Sequence, residues 1–335
     1  MPQHSNQILF SFFMFTVDLR PGDAEYTRLI VGRMRKLLEL GYSGFDLPIA
    51  PPAGELDAKT ELENYRKLRK ALDDAGLRDV RLTTNVAATR TFDPSSEFKE
   101  QRELALAYLK SRVDICEALR ADIMAGPVVM PYGVFPTTDF GQQIWSDELQ
   151  DWLVARYNNA VPVLQALGEH AGALGVTVAI EPVDHWETPS PNMVGEVLRF
   201  LDKTDEASLG VCIDSAHVVL GSDGPGVFRN QVCEALTRER LPYVHISAPD
   251  RGAVHDSWIP WDTFLTPILQ GFEGPYLIEV FNAIPAFLSS LRITRRKFWI
   301  PGEDVPHPEY PDAYTIAQEG LQAVRRRVRP AAAHV

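Results

Sequence analysis

Two hydrophobic rhythms alternate along this chain. Short apolar runs, suited to strands buried on both faces, are separated by longer stretches with apolar residues at helical spacing. The first run, Gln7–Phe15, is rich in Phe and predicts a strand ending near Thr16. Across Glu25–Leu40 the residues Leu29, Ile30, Met34, Leu37 and Leu38 mark a helical face, and Gly41 stops that helix. Further strands are expected at 44–47, 80–85, 122–126, 177–180, 211–213, 243–244 and 276–278. Helices are expected between them, at 61–75, 98–119, 150–174, 192–203, 227–238 and 261–269, with a last one at 314–327. Strand and helix in strict alternation predict a (β/α)8 TIM barrel forming a single domain over residues 1–335. Two connections, residues 127–149 and 281–312, are longer than such connections usually are. Both leave C-terminal strand ends, so both are expected over that face of the barrel.

Chemistry sits at the ends of four successive runs. Thr177-Val-Ala-Ile180 delivers Glu181, and Pro182 then closes the strand because it cannot continue a ladder. Val211-Cys-Ile213 delivers Asp214, with His217 three residues on. Tyr243-Val244 delivers His245, and Tyr276-Leu-Ile278 delivers Glu279. Any one acidic residue at a strand end is usually a helix cap or a surface charge. Four in succession, each at the same place in a repeating unit, are hard to explain that way. Carboxylates converging on one cavity repel unless a cation neutralises them. Three carboxylates with one imidazole suit Mn²⁺, Mg²⁺ or Co²⁺ better than a structural zinc ion, which favours thiolates.

Composition narrows the classes. With 335 residues, 45% hydrophobic and 23% charged, the chain can bury one large core. Length alone allows two domains, but a barrel of this kind uses about 250 residues or more as one. A net charge of −12 argues against a nucleic-acid partner, whose phosphates need a basic surface. Cys116, Cys212 and Cys233 show no CxxC pairing, and their odd number gives no disulfide framework. A reducing, cytoplasmic setting fits. The apolar run Ile8–Phe15 is too short to span a membrane and lacks a basic start, so no membrane association is expected.

The ladder Glu181, Asp214, His245, Glu279 resembles that of the ketose 3-epimerases among the xylose isomerase-like TIM barrels. The resemblance implies that these four hold Mn²⁺ or a similar ion, and that Glu181 and Glu279 double as acid and base. It further implies that His217 and Arg251 contact sugar hydroxyls. Trp258-Ile-Pro-Trp261 is similar to an LPW stretch of those enzymes. A closer likeness covers nearly the whole chain. The segments ILFSFFMFT, TTNVAATRTFDP, DIMAGPVVMPYGVFPTTDFG, EPVDHWETPSPNMV, HISAPDRGAVHDSWIPW and SLRITRRKFWIP resemble the large subunit of bacterial C-glycoside deglycosidases. That likeness implies cleavage of the carbon–carbon bond between a sugar, already oxidised at carbon 3 by another enzyme, and an aromatic aglycone. It also implies a small, mostly β partner subunit in a hetero-oligomer.

The chemistry can be reasoned from the site alone. A carbonyl acidifies the hydrogen on the adjacent carbon, and a divalent ion stabilises the enediolate that forms. Returning the proton to another face or atom is epimerisation or isomerisation. If the next carbon bears a leaving group, the same enediolate expels it by β-elimination. His185 and His255 are imidazoles able to shuttle a proton, His185 equally suited to packing on Trp186 and His255 to contacting substrate at the rim. Trp145, Tyr132, Phe135, Trp258 and Trp299 offer flat surfaces for an aglycone or for ordinary packing. The basic run Arg295-Arg296-Lys297 reads as a solvated face. Two other classes stay open: a DNA-repair nuclease of the same fold, disfavoured by charge, and a scaffold subunit without activity, disfavoured by the intact ladder.

Overall fold

Each expected apolar run contains a strand whose alternate residues face opposite sides, and that alternation organises the molecule. The computed structural model describes residues 7–15, 20–52, 54–136, 146–221, 223–281 and 298–328. Its strands are β1 (Ile8–Ser11), β2 (Gly44–Pro48), β3 (Arg81–Asn85), β4 (Ile123–Gly126), β5 (Thr177–Ile180), β6 (Leu209–Asp214), β7 (Tyr243–Ser247) and β8 (Tyr276–Glu279). All pair in parallel in chain order, and β8 returns to β1 through Ile8↔Tyr276, closing an eight-stranded barrel. The helices are α1 (Ala24–Leu40), α2 (Ala58–Asp74), α3 (Lys99–Ala118), α4 (Asp147–Ala173) and α5 (Val194–Thr204). They continue with α6 (Ser215–Gly221), α7 (Pro225–Thr237), α8 (Trp261–Ile268) and α9 (Ala313–Val328). The (β/α)8 barrel expected from the alternation is therefore the fold.

One set of strand residues, including Phe10, Phe45, Met124, Val178, Val211, Val244 and Ile278, packs outward under the helices. The other set, Leu9, Ile123, Ala125, Ala179, Cys212, Tyr243 and Leu277, fills the barrel interior as a separate cluster. Two residues further along the same inward face come Ser11, Glu181, Asp214, His245 and Glu279. The interior is thus apolar at one level and ionisable at the next, and the change occurs at the C-terminal strand ends. Gly126 sharpens the exit of β4. Its φ is 130°, and a Cβ there would lie 2.1 Å from the Val86 carbonyl oxygen.

The structure departs most from the sequence expectations at the end of β1, at the starts of α2 and α4, and at α6. The strand expected over residues 7–15 ends at Ser11, and Phe12–Phe15 form a 3-10 turn with all four side chains buried. Ser11 Oγ accepts from Phe13 N at 3.2 Å, and Phe12 packs edge-on against Phe45. An unbroken apolar run buries as well in a turn as in a strand, so hydrophobicity does not distinguish them. Helices α2 and α4 begin three residues before their expected starts because Asp57 and Ser146 cap them, accepting from Thr60 N and Leu149 N. Helix α6 was not expected at all; it follows Asp214 with no intervening loop.

Among the described residues no helix is long and apolar enough to cross a membrane. The three cysteines are free thiols.

Candidate active site

Strands β5 to β8 bring Glu181, Asp214, His245 and Glu279 to one place. Ligand atoms of Asp214, His245 and Glu279 lie within 4.8 Å of one another, and so do those of Glu181, Asp214 and His217. His245 Nδ1 is 3.2 Å from Glu181 Oε1 and 3.9 Å from Glu279 Oε1. All four residues are buried. Asp214 owes its orientation to helix α6. One carboxylate oxygen accepts from Ala216 N at 2.6 Å and His217 N at 3.2 Å, and Ser247 Oγ bonds to both oxygens at 2.7 Å. The strand end and the cap of the next helix are one residue.

Arg251 sits above this cluster with its backbone in the left-handed region, φ 59°, unusual for a residue other than glycine. Its Nη1 donates to Ser247 Oγ at 3.0 Å and lies 3.5 Å from Glu279 and 3.7 Å from Asp214. Its Nη2 lies 2.8 Å from His217 Nε2. Two loop carboxylates complete the group: Asp184 Oδ1 is 3.3 Å and Glu187 Oε2 3.7 Å from His217 Nδ1. Neither was assigned a role from the sequence. They lie in an irregular segment after β5, where no hydrophobic period indicates direction, and only their acidity could have drawn notice.

The charges act on one another. Burial pushes the Glu279 carboxyl up to about 8, with Asp214 and Glu181 adding to the effect while His245 and Arg251 oppose it. Burial likewise raises Glu187, against His217 and Arg251. Burial also disfavours ionised Asp214, yet His217, Arg251 and His245 outweigh it and hold that carboxyl low. Burial and Arg251 depress the His217 imidazole, but Asp214, Asp184 and Glu187 prevail and raise it to about 9. A divalent cation among these side chains would work the other way on His217 and favour the neutral ring.

The donor set fits such a cation. Glu181 Oε1 and both ring nitrogens of His245 are buried without a hydrogen-bond partner. A buried carboxylate oxygen and an imidazole left without hydrogen-bond partners are costly, and a cation would satisfy the oxygen and the unprotonated ring nitrogen. An oxygen-rich set with one imidazole suits Mn²⁺, Mg²⁺ or Co²⁺.

Other candidate residues lie elsewhere. His185 is exposed and packs edge-on against Trp186, ring centroids 4.7 Å apart, outside the carboxylate cluster. His255, expected to contact substrate, pairs instead with Glu319 of α9 at 2.9 Å. Residue type alone says nothing of where a loop side chain points. Trp145, most of the second long loop and the basic run 295–297 fall outside the described residues. Of the remaining aromatics, Trp299 donates to the Tyr310 carbonyl within its own loop, and Trp258 is almost fully exposed. Tyr132 is close enough for Glu187 and Glu181 to add to the burial that raises its phenol. Phe281 stacks on Phe13 at 4.6 Å and lies under the Arg251 guanidinium. The starts of both long loops are tied to the site: Gly133 N donates to the Glu187 carbonyl at 2.8 Å, and Phe281 N to the Arg251 carbonyl at 3.0 Å.

Below the cluster, on the inward face of β2, Asp46 is fully buried. Thr83 Oγ1 donates to its Oδ2 at 2.7 Å and lies 2.8 Å from the Tyr243 hydroxyl, while Asp46 Oδ1 has no partner. Burial raises this carboxyl from 3.8 to about 6, opposed by His245. The folded chain therefore binds that proton more tightly than the unfolded chain. The stability this supplies is complete below pH 3.8 and is lost as pH rises through about 6. In chelator, Asp46→Asn should exceed the parent in stability by about 3 kcal/mol above pH 7, the gap closing as pH falls. Equal urea midpoints at pH 8 would contradict this.

A family model described as the xylose isomerase-like TIM barrel matches residues 34–297. A crystal structure from Anabaena variabilis, provisionally described as a sugar phosphate isomerase/epimerase, is 54% identical. It superposes with a TM-score of 0.90, covering 96% of this chain and 98% of that one. A ketose 3-epimerase of Arthrobacter globiformis is 24% identical over 84% of this chain and 88% of its own length. The D-allulose 3-epimerase of Methylomonas sp., solved with D-allulose, shares the fold at 19% identity and a TM-score of 0.74, covering 96% and 97% of the two chains.

Proposed function

Because this chain belongs to the xylose isomerase-like TIM-barrel family, we propose that it is a divalent-cation-dependent sugar epimerase acting at the carbon next to a ketose carbonyl. The observation that supports this reading is the pair of buried carboxylates, Glu181 and Glu279, whose oxygens lie 3.2 and 3.9 Å from His245 Nδ1. One carboxylate takes the hydrogen as a proton, the C–H pair becomes the C=C bond as the carbonyl π pair moves to oxygen, and the other group, starting as the carboxylic acid, protonates the opposite face while the carbonyl re-forms. A cation held by Glu181, Asp214, His245 and Glu279 supplies Lewis acidity toward the substrate carbonyl. Burial raises the Glu279 carboxyl to about 8 in the cation-free site, and a bound cation would lower it. Arg251, His217 and Glu187 supply donors and an acceptor for sugar hydroxyls. They touch one another across the mouth of the same cluster.

A second reading shares the first step and differs in the next. On a 3-oxo-C-glycoside the same enediolate expels a protonated aromatic aglycone from carbon 1, with a small β-rich subunit as partner. The Phe13–Phe281 stack beneath Arg251 favours it, because a free sugar does not need an aromatic wall. Purified protein with Mn²⁺ should be assayed on free ketohexoses and on a 3-oxo-C-glycoside of a flavonoid, the latter with and without that partner. Interconversion of ketoses with solvent deuterium incorporated at the epimerised carbon is expected. Aglycone release without ketose interconversion would establish the second reading. Failure of both reactions with Mn²⁺, Mg²⁺ and Co²⁺ would overturn the proton-transfer proposal.

A further inference from the structure

We propose that Cys212, with Glu181 and His245, forms a second cation site one layer below the first, selective for thiophilic ions such as Cd²⁺ and Zn²⁺. Ligand atoms of these three buried residues lie within 4.8 Å of one another. Cys212 belongs to the inward, otherwise hydrophobic layer of the barrel interior. In such a layer a thiol usually serves as a small apolar filler. Here the neighbouring strands β5 and β7 bring Glu181 and His245 to it. Glu181 Oε1 and both ring nitrogens of His245 are buried without a hydrogen-bond partner, so those atoms are not committed to another protein group. The other thiols stand apart from this set. Cys116 Sγ lies 3.4 Å from the Ala121 carbonyl oxygen and 3.6 Å from that of Ile123, and Cys233 is half-buried on α7.

The spacing suits a small tetrahedral ion. His245 Nδ1 and Glu181 Oε1 stand 3.2 Å apart. Two ligands of a tetrahedral ion with bonds of about 2.0 Å are separated by about 3.3 Å, so this pair already has the length of one edge. A thiolate bonded at about 2.3 Å supplies a third corner, and three protein ligands with a water is an arrangement zinc commonly takes. Mn²⁺ and Mg²⁺ prefer octahedral, oxygen-rich surroundings and find oxygen at the rim, from Asp214 and Glu279. A soft ion gains more from sulfur and is drawn inward. Because Glu181 and His245 serve both positions, an ion at one excludes an ion at the other. Binding at Cys212 forms the metal–sulfur bond and releases the thiol proton to solvent. The proposal holds whichever reaction the rim site performs.

The test titrates full-length, Mn²⁺-loaded protein with Cd²⁺ alone. The parent should develop the ultraviolet charge-transfer band of a cadmium–thiolate bond, saturating at one equivalent. The paramagnetic resonance signal of free Mn²⁺ should rise in step. Cys212→Ser should lose the band and bind Cd²⁺ at least ~100-fold more weakly, with its Mn²⁺ affinity within about 3-fold of the parent. Cys212→Ala should do the same and covers the case in which a serine hydroxyl disturbs the hydrophobic layer. Cys116→Ser and Cys233→Ser should keep the band. A parent without the band, a band surviving in Cys212→Ser, Cd²⁺ bound beside retained Mn²⁺, or equal losses of both ions in the Cys212 variants would overturn the proposal. None of these measurements requires turnover, so inactivity on ketoses would count against the proposed reaction and leave this site standing.

Discussion

Asp214→Ala should carry almost no divalent cation and lose at least ~10³-fold in turnover, while remaining folded. Asp214 is the best-oriented ligand of the set, since two backbone amides and the Ser247 hydroxyl hold its oxygens. Removing it takes one negative charge from the cluster and leaves Glu181, Glu279 and His245 too few to retain a cation through gel filtration. It also removes the cap of α6, at a cost of about 1 kcal/mol. A barrel closed by eight strand pairings should withstand that loss. Elemental analysis of the purified variant, with a thermal melt beside it, decides the matter. A variant that keeps one equivalent of Mn²⁺ would place the cation elsewhere.

Glu279→Gln should separate proton transfer from cation binding. Glutamine retains a carbonyl oxygen as a ligand but cannot accept a proton at neutral pH. Cation content should fall only modestly, whereas kcat should drop by about 10²–10⁴-fold, the range expected for a lost general acid–base group. Exchange of the substrate hydrogen with solvent should disappear together with turnover. If the variant turns over at the parent rate with its cation in place, Glu279 is a ligand only, and proton transfer must be sought at Glu181 or in the loop carboxylates.

Much of the site could be read along the chain because strands impose a period of two. Once β5 to β8 are recognised as apolar runs, the residue ending each run lies two positions beyond a residue of the barrel interior. Ala179 thus predicts the direction of Glu181, Cys212 that of Asp214, Tyr243 that of His245 and Leu277 that of Glu279. The loops have no comparable period. His185 and Glu187 are two residues apart and carry equally plausible chemistry, yet the first packs on Trp186 at the surface and the second faces Arg251. His255, an imidazole in another such loop, is held by Glu319 of α9.

By itself the sequence determined the alternation of strands and helices, the closure into one barrel and the four inward positions at its C-terminal rim. These follow from local periodicity and the burial of apolar faces, which any short window displays. Tertiary structure alone decided which polar groups meet. It joined Asp184 to His217 and His217 to Arg251 from three separate strand exits, and it left Asp46 buried on Thr83 beneath them. Those pairings depend on backbone turns such as the left-handed Arg251, and on the distance between loops far apart in the chain. Neither quantity leaves a trace in the pattern of apolar and polar residues.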